Sequence, residues 1–201
     1  MTACHIKASL GIFIIFLNIQ TSIYANDEDM KIKLNTPRFK AESFQISLGK
    51  RSSCRNFQDK ILILDDITSI LWAACGKKHD AVTAATRIIP SAGATYPLEL
   101  YVVVGKASAD RLKEGVYHYD IEEHTLGLVA TQDRRVELSR ACLGQDFIRK
   151  APASIVITAK FHRTTNRYET RGQRYVYIEA GHACQNIYLA AANLEIGRAH
   201  V

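Results

Sequence analysis

The sequence predicts a single α+β domain, and three observations support that fold class. The segments 98–104 and 154–159 are apolar on both faces and rich in β-branched residues, which is typical of strands buried inside a sheet. Other segments space their apolar residues as helices do. Hydrophobic residues make up 47% of the 201 residues, which is enough for one core and too many for a disordered chain.

The first clearly delimited helix spans residues 65–76. Asp65 stands where an N-cap is expected, and Gly76 stands where the helix would end. The next elements follow in chain order: a polar loop at 77–85, the central strand at 98–104, a hairpin of strands at 115–120 and 125–129, a helix at 134–143 and the second buried strand at 154–159.

The last helix, at 175–194, is rich in small residues. They are Ala180, Gly181, Ala183, Ala190, Ala191 and Ala192. Small residues let another backbone approach closely, so we expect this helix to be central and buried.

The first 25 residues show the three parts of a secretory signal peptide. A short start is followed by an apolar run over 8–19, and the small residue Ala25 ends the segment. The run is too short for a comfortable membrane span, with an uncleaved anchor as the alternative. We therefore expect residues 1–25 to be a signal peptide that is removed on export to the bacterial periplasm, and residues 26–46 to be a polar lead-in.

The charge pattern excludes some functions. The formal net charge is +6, but Lys and Arg are scattered without an aromatic-interleaved stripe, so nucleic-acid binding is not expected. His118, His124 and His162 lack metal-site spacing, and no metal is expected. Ser91 lacks the preceding glycine of a nucleophile elbow, which argues against a hydrolase.

Four cysteines follow the leader, and none forms a Cys-x-x-Cys pair. They are Cys54, Cys75, Cys142 and Cys184. Four cysteines allow three pairings, and the sequence does not choose among them. The simplest interpretation is that they are small buried apolar residues.

Two short segments carry the chemistry. Arg51, Ser52, Ser53 and Arg55 place two guanidinium groups and two hydroxyls close together, which suits a phosphate monoester. Taken alone, the two arginines are better explained as a solvated surface pair, and the loop described next reverses this preference.

The second segment is a loop of small residues between two prolines. It contains Pro90, Ser91, Ala92, Gly93 and Ala94, and it runs through Pro97 into the first central strand. Because these residues have almost no side-chain bulk, a flat ligand could lie on the backbone and accept hydrogen bonds from its N–H groups. A phosphate grip and a planar platform together suggest a nucleotide-like cofactor.

These segments together resemble the nitroreductase superfamily, most closely its SagB-type dehydrogenase branch. The first matches an Arg-x-Ser-x-Arg/Lys-x-Phe run and the second a Pro-Ser-Ala-Gly-Ala loop. A third block, 171–191, resembles the branch's Arg-Gly-x-Arg-Tyr and Glu-Ala-Gly-His-x-x-Gln-Asn helix. The likeness extends over about 47–197.

The resemblance implies a central mixed or antiparallel sheet flanked by helices, in an intertwined homodimer. It implies that Arg51, Ser52, Ser53 and Arg55 hold the FMN phosphate and the polar edge of the ring, and that residues 90–94 pass the isoalloxazine. It further implies an FMN-dependent oxidoreductase that transfers a hydride through flavin N5, with NAD(P)H as a possible donor and a small molecule or peptide as substrate.

Catalytic residues are less defined. Tyr96 and Glu99 either line the ring or simply pack, and Tyr168 is a third candidate. In SagB-like azoline oxidases a Lys-Tyr pair aligns near Arg167-Tyr168, but an arginine stays protonated and cannot replace a lysine base. An azoline-to-azole peptide oxidase and a non-catalytic flavin-binding exported domain are therefore the alternatives.

The end of the chain departs from the resemblance. In that superfamily such a helix is followed by another strand and an extension around the partner subunit. We expect that residues 198–201 are not native and that the C-terminal part of the domain is missing.

Overall fold

A seven-stranded mixed sheet forms the centre of the molecule, in the order β2-β5-β4-β3-β6-β1-β7. The structure is a computed structural model that describes residues 8–14, 31–41, 44–55, 57, 60–78 and 86–200. The strands are β1 Ala8–Ile14, β2 Lys31–Lys33, β3 Leu98–Val104, β4 Gly115–Asp120, β5 Thr125–Ala130, β6 Ala153–Ala159 and β7 Ile196–His200. The helices are α1 Phe44–Lys50, α2 Leu64–Cys75, α3 Arg135–Ala141, α4 Asp146–Lys150, α5 His162–Tyr168 and α6 Arg171–Asn193.

The pairing of β3 with β6 is the middle of this sheet. The strands run antiparallel in a register from Leu98 opposite Ala159 to Val104 opposite Ala153. Every residue of β6 is buried, as expected for a strand covered on both faces. Strand β1 pairs with the other edge of β6 in parallel, so the predicted α+β class and mixed sheet are confirmed.

Helices α2 and α6 pack against each other and share one apolar core with the sheet. Asn186 of α6 donates a hydrogen bond from Nδ2 to the carbonyl of Ala73 in α2, at 2.9 Å. The opposite face of α6 is open: Tyr177 and Ile178 are half exposed, and a Cβ on Gly181 would meet nothing within 4 Å. The predicted burial of this helix therefore holds for one face in the single chain.

The start of α2 differs from the sequence expectation. Its N-cap is Ile63, not Asp65, and no N-cap side chain bonds to the helix. The carboxylate of Asp110 accepts the Leu64 N–H instead. Asp110 is brought there because Leu62 bridges to Ala109, a contact between distant segments that local sequence patterns do not reveal.

The end of α2 is set by a tryptophan. Gly76 is the C-cap, with φ of −58°, so it is not there for a left-handed turn. A Cβ at Gly76 would overlap the indole ring and carbonyl of Trp72. The glycine is needed because Trp72 lies against the backbone at this point.

Two segments outside the predicted domain belong to the sheet. Strand β1 comes from the predicted signal peptide and lies between β6 and β7; a short apolar run suits either a leader or a central strand, and cleavage stays a prediction. Strand β2 comes from the lead-in and pairs with β5. Leu34 is buried, so the described part of the lead-in is packed rather than loose. Residues 15–30 and 79–85 lie outside the described residues.

The other sequence-predicted elements are confirmed with small shifts in their ends. The hairpin is β4–β5 and the helix at 134–143 is α3. Helix α6 begins at Arg171, four residues before the predicted start. Strand β7 includes three of the residues expected to be non-native. None of the helices in the described part of the chain is long and apolar enough to cross a membrane.

No disulfide joins the four cysteines in the described chain; Cys75, Cys142 and Cys184 are buried, and Cys54 is partly buried. Burial raises the pKa of the Cys184 thiol to about 12 and raises that of Cys75 as well. Thiols of this kind are poor nucleophiles at neutral pH.

Truncation of a central core side chain should destabilise the fold strongly. Leu100 of β3 is fully buried, whereas Leu143 is 93% exposed. We expect Leu100→Ala to lower the free energy of unfolding by about 2–5 kcal/mol because it leaves a cavity. The matched Leu143→Ala should change it by less than about 0.5 kcal/mol. Urea denaturation followed by circular dichroism measures both, and equal effects would contradict the core position of Leu100.

Candidate functional site

The loop from Pro90 to Pro97 lies at the edge of the sheet where β3 begins and β6 ends. The N–H of Lys160, just after β6, donates to the carbonyl of Pro97 at 2.8 Å. Helix α5 follows directly, so its side chains and the first turns of α6 border the loop. This arrangement places the predicted ring-binding loop beside two helices.

Gly93 is required at its position for two reasons. Its φ is +58°, in the left-handed region that favours glycine. A Cβ there would lie 2.5 Å from the Tyr168 hydroxyl and 3.0 Å from the Arg167 guanidinium carbon. Nη1 of Arg167 also donates to the Gly93 carbonyl at 3.1 Å. The lack of a side chain at Gly93 therefore accommodates these two side chains of α5, and a flat ligand on the loop stays a prediction.

Most N–H groups of the loop are already bonded within the chain. The Ala92 N–H donates to Oε1 of Glu179 at 3.0 Å. The Tyr96 N–H donates to Oγ of Ser91 at 2.9 Å. Among the described residues, no hydrogen bond involves the N–H of Ser91 or that of Gly93. These two donors are the ones that the loop could offer to a ligand.

Glu179 is an acidic residue on the buried face of α6. It is only 2% exposed, and burial raises the pKa of its carboxyl, against the lowering effect of hydrogen bonds from Ala92 and Ser91. Oε2 has no hydrogen-bond partner in the described chain. This carboxyl also lines a small cavity together with Cys75, Arg87, Ile89, Tyr96, Leu98 and Ile121.

Glu99 is the centre of an ionic network beside the loop. Its carboxylate lies 2.8 Å from His118 Nε2, 2.8 Å from Arg163 Nη1 and 3.2 Å from Lys160 Nζ. Burial alone would raise the pKa of Glu99, but the His118 hydrogen bond and the two cations lower it to about 2. Arg163 also donates to the Tyr96 carbonyl at 3.0 Å. The network therefore gives Glu99 a role in holding the loop.

The two tyrosine candidates both lie at the loop. The Tyr96 hydroxyl is 3.2 Å from Oγ1 of Thr86, and the Arg87 guanidinium carbon lies 5.4 Å from the centre of its ring. Tyr168 packs edge-on against Tyr175, with ring centroids 5.0 Å apart. Their positions are compatible with lining a bound ring, and their catalytic role stays a prediction.

The predicted phosphate-binding segment lies directly after α1. Arg51, Ser52, Ser53 and Arg55 are all exposed, so their donors are accessible to an anion. The Arg55 guanidinium carbon lies 5.4 Å from the centre of the Phe147 ring in α4. The donor set suits a phosphate, and one of the two arginines is positioned on an aromatic ring.

Within one chain the two halves of the predicted site do not meet. The loop lies at the Leu98 end of β3. The 51–55 segment lies at α4, because Arg55 packs on Phe147. Helix α4 is followed by Pro152, whose carbonyl accepts the Gly105 N–H just after the other end of β3. A seven-residue strand is about 20 Å long. Helix α6 gives a similar separation. The loop contacts Glu179 in its first half, and Lys50, just before the 51–55 segment, pairs with Glu195 beyond its far end. Glu179 and Glu195 are roughly 20 Å apart along the helix axis.

Sequence reasoning missed the roles of Glu179 and Arg163. Glu179 interrupts a buried stripe with Val176, Ala180 and Ala183 on α6, and an acid in such a stripe is the signal that could have identified it. Arg163 had no comparable signal, because its partner Glu99 is far away in sequence. In the described ranges, no group of three or more His, Cys, Asp or Glu residues could hold a metal ion.

A methyl group at Gly93 should distort the loop. We expect Gly93→Ala to lower the free energy of unfolding by about 2 kcal/mol, from the left-handed backbone and the contact with Tyr168. The control is Gly49→Ala, in α1 with open space around it, which should be neutral or slightly stabilising. Denaturant titrations compare them, and a neutral Gly93→Ala would rule out this packing.

The Glu99 network should make stability depend on acid pH. A carboxyl with a lowered pKa contributes stability above its unfolded value of 4.5, and that contribution is lost as the pH falls towards 2. We expect the free energy of unfolding of the wild type to exceed that of Glu99→Gln by about 2 kcal/mol at pH 7, after allowance for solvent screening. This difference should narrow below pH 4.5. Unfolding at several pH values measures it. Glu137→Gln, which breaks an exposed pair with Arg134, should leave the curve unchanged.

Comparisons with known proteins identify the family of the chain. The Nitroreductase family model matches residues 48–198. MJ1384 of Methanocaldococcus jannaschii, which carries the name of a nitroreductase, is 38% identical over 174 residues, 87% of this chain and 84% of that protein. The trifolitoxin-processing protein TfxB of Rhizobium leguminosarum bv. trifolii is 32% identical over 139 residues, which are 65% of this chain and 37% of TfxB.

Solved structures show the same fold. A crystal structure from Ralstonia eutropha, also named for a nitroreductase, has a TM-score of 0.67 at 25% identity and covers 89% of this chain and 79% of its own. A chain of the Escherichia coli microcin synthetase McbBCD complex with truncated pro-MccB17 bound has a TM-score of 0.57 at 27% identity. The match covers 88% of this chain and 71% of that chain. With a family match over three quarters of its length and a relative of this identity, the chain belongs to the Nitroreductase family.

Proposed function

We propose that this chain is an FMN-dependent oxidoreductase whose ring site is the loop at 90–97. Family membership supports flavin-dependent oxidoreduction in general. When bound, FMN would supply the hydride chemistry at its N5 atom. The chain's own residues would bind and orient it, through the N–H groups of Ser91 and Gly93 at the ring and the exposed donors of 51–55 at the phosphate.

The observation that carries this proposal is the condition of the loop. The N–H groups of Ala92 and Tyr96 are bonded to the side chains of Glu179 and Ser91, and those of Ala94 and Thr95 to carbonyls of the loop itself. The N–H groups of Ser91 and Gly93 lack partners among the described residues. A loop that is fixed in place with two donors left over is suited to hold a ligand that accepts hydrogen bonds.

We further propose that two copies of the chain build each site. The loop of one copy and the 51–55 segment of the other would then meet, although they lie about 20 Å apart within one chain. The open face of α6, with the half-exposed Tyr177 and Ile178 and the uncovered Gly181, is suited to pack against a second copy.

The substrate is a small molecule or a peptide. Two relatives favour a peptide: TfxB is named for trifolitoxin processing, and the McbBCD structure holds a truncated pro-MccB17. The Tyr168 hydroxyl lies against Gly93 of the loop, and a residue that acts on the substrate has to lie beside the ring site. For this reason the azoline-to-azole oxidase of the SagB-type branch is the second candidate. Arg167 opposes it, because a guanidinium stays protonated and here already bonds Gly93.

Cofactor binding tests the proposal directly. The purified chain should bind FMN with a micromolar or tighter Kd in calorimetric titration, and the bound flavin should bleach with NAD(P)H or dithionite. Turnover of the bleached form by an acceptor supports an enzyme; a flavin that no donor or acceptor turns over supports the non-catalytic alternative. A chain that binds no FMN at these concentrations would refute both.

Hybrid dimers test the shared site. Arg51→Ala/Arg55→Ala should impair the phosphate half and Gly93→Ala the ring half, so neither variant alone should bind FMN well. A hybrid of the two variants, isolated with two affinity tags, should recover one binding site per dimer, because one intact half comes from each chain. A site within one chain predicts no recovery, and a monomer in analytical ultracentrifugation contradicts the dimer.

Export to the periplasm stays a proposal from the sequence. The apolar segment that suggests it also forms β1 in the sheet. The N-terminal residue of the protein isolated from its native host, determined by mass spectrometry, distinguishes a cleaved leader from a retained strand.

A further inference from the structure

Glu179 stands out as an acid that folding has placed among apolar residues. It is 2% exposed, and Val176, Ala180 and Ala183 on the same face of α6 are buried as well. Burying a carboxyl is unfavourable unless its polar atoms are satisfied. Its contacts therefore indicate what it does.

Those contacts all lead to the loop. Oε1 accepts the Ala92 N–H at 3.0 Å, and the Ser91 hydroxyl is also hydrogen-bonded to this carboxyl. Oγ of Ser91 in turn accepts the Tyr96 N–H. One side chain of α6 thus fixes both the start of the left-handed turn and, through Ser91, its end.

The two oxygens of Glu179 have different surroundings. Oε1 accepts the Ala92 N–H, whereas Oε2 has no hydrogen-bond partner in the described chain; the residue as a whole borders the cavity. Burial raises the pKa of the carboxyl, which favours the neutral acid. A glutamine side chain keeps a carbonyl oxygen that can accept the Ala92 N–H but carries no negative charge, so Glu179→Gln separates these two properties.

We propose that Glu179 is a positioning residue that holds the Ser91–Ala94 turn for the cofactor through the acceptor capacity of Oε1 and not through negative charge. The role of this turn as a cofactor platform rests on the proposed function. The attachment of the turn to α6 is a property of the chain itself and can be tested without any ligand.

The ligand-free readout is hydrogen exchange at the Ala92 amide, measured by NMR. Exchange should be similar in wild type and Glu179→Gln and about tenfold faster in Glu179→Ala, which has no acceptor at this position. Ile187→Ala is the control, because Ile187 is fully buried on the same helix and makes no hydrogen bond to the loop. It should lower the melting temperature without selectively exposing the Ala92 amide.

Calorimetric FMN titration is the second readout. Glu179→Gln should bind FMN within about twofold of wild type, and Glu179→Ala about tenfold more weakly. Weak binding by both variants would show that charge matters and would overturn the proposal. So would an equal loss of affinity in Ile187→Ala, which would reduce Glu179 to general stability. If wild type itself binds no FMN, the proposed function fails, and the Ala92 exchange still decides whether Glu179 holds the turn.

Discussion

The antiparallel pairing of β3 with β6 is the constraint on which the rest of the structure depends. Seven consecutive residue pairs, buried along the whole of β6, fix the direction and length of both strands. The loop at 90–97 enters β3 at one end, and α3 and α4 occupy the connection at the other. The strands therefore keep the ring half and the phosphate half of the predicted site apart within the chain.

Elements that depend on local sequence patterns could be predicted from the sequence. Strands β3 and β6 are continuous β-branched runs, and α2 shows a clear helical spacing of apolar residues, so local patterns were sufficient for them. The cap of α2 was predicted wrongly, because Asp110 reaches Leu64 only after distant segments have paired. Strand β1 shows a different limit, since a short apolar run has the same composition in a leader and in a buried strand.

The sequence predicted the loop of the candidate site but not the contacts that hold this loop in place. Pro90 and Gly93 marked a tight loop, and the loop is where they indicated. The packing of Gly93 was not visible, because its neighbours Tyr168 and Arg167 belong to a helix that the sequence analysis did not identify. Glu99 illustrates the same point: its neighbours His118, Lys160 and Arg163 come from three other segments, and local sequence could not show that they bind its carboxylate. Its catalytic role stays a prediction.

The packing of Trp72 has a practical consequence. It is the only tryptophan in the chain, its indole N–H donates to the Lys77 carbonyl at 3.0 Å, and the Phe39 ring lies 6.0 Å away. All indole emission therefore originates at the end of α2. A change in the emission spectrum on heating or ligand addition therefore reports how the segment around Phe39 packs on that helix. Trp72 is a local fluorescent reporter of this N-terminal segment and is insensitive to changes confined to the sheet.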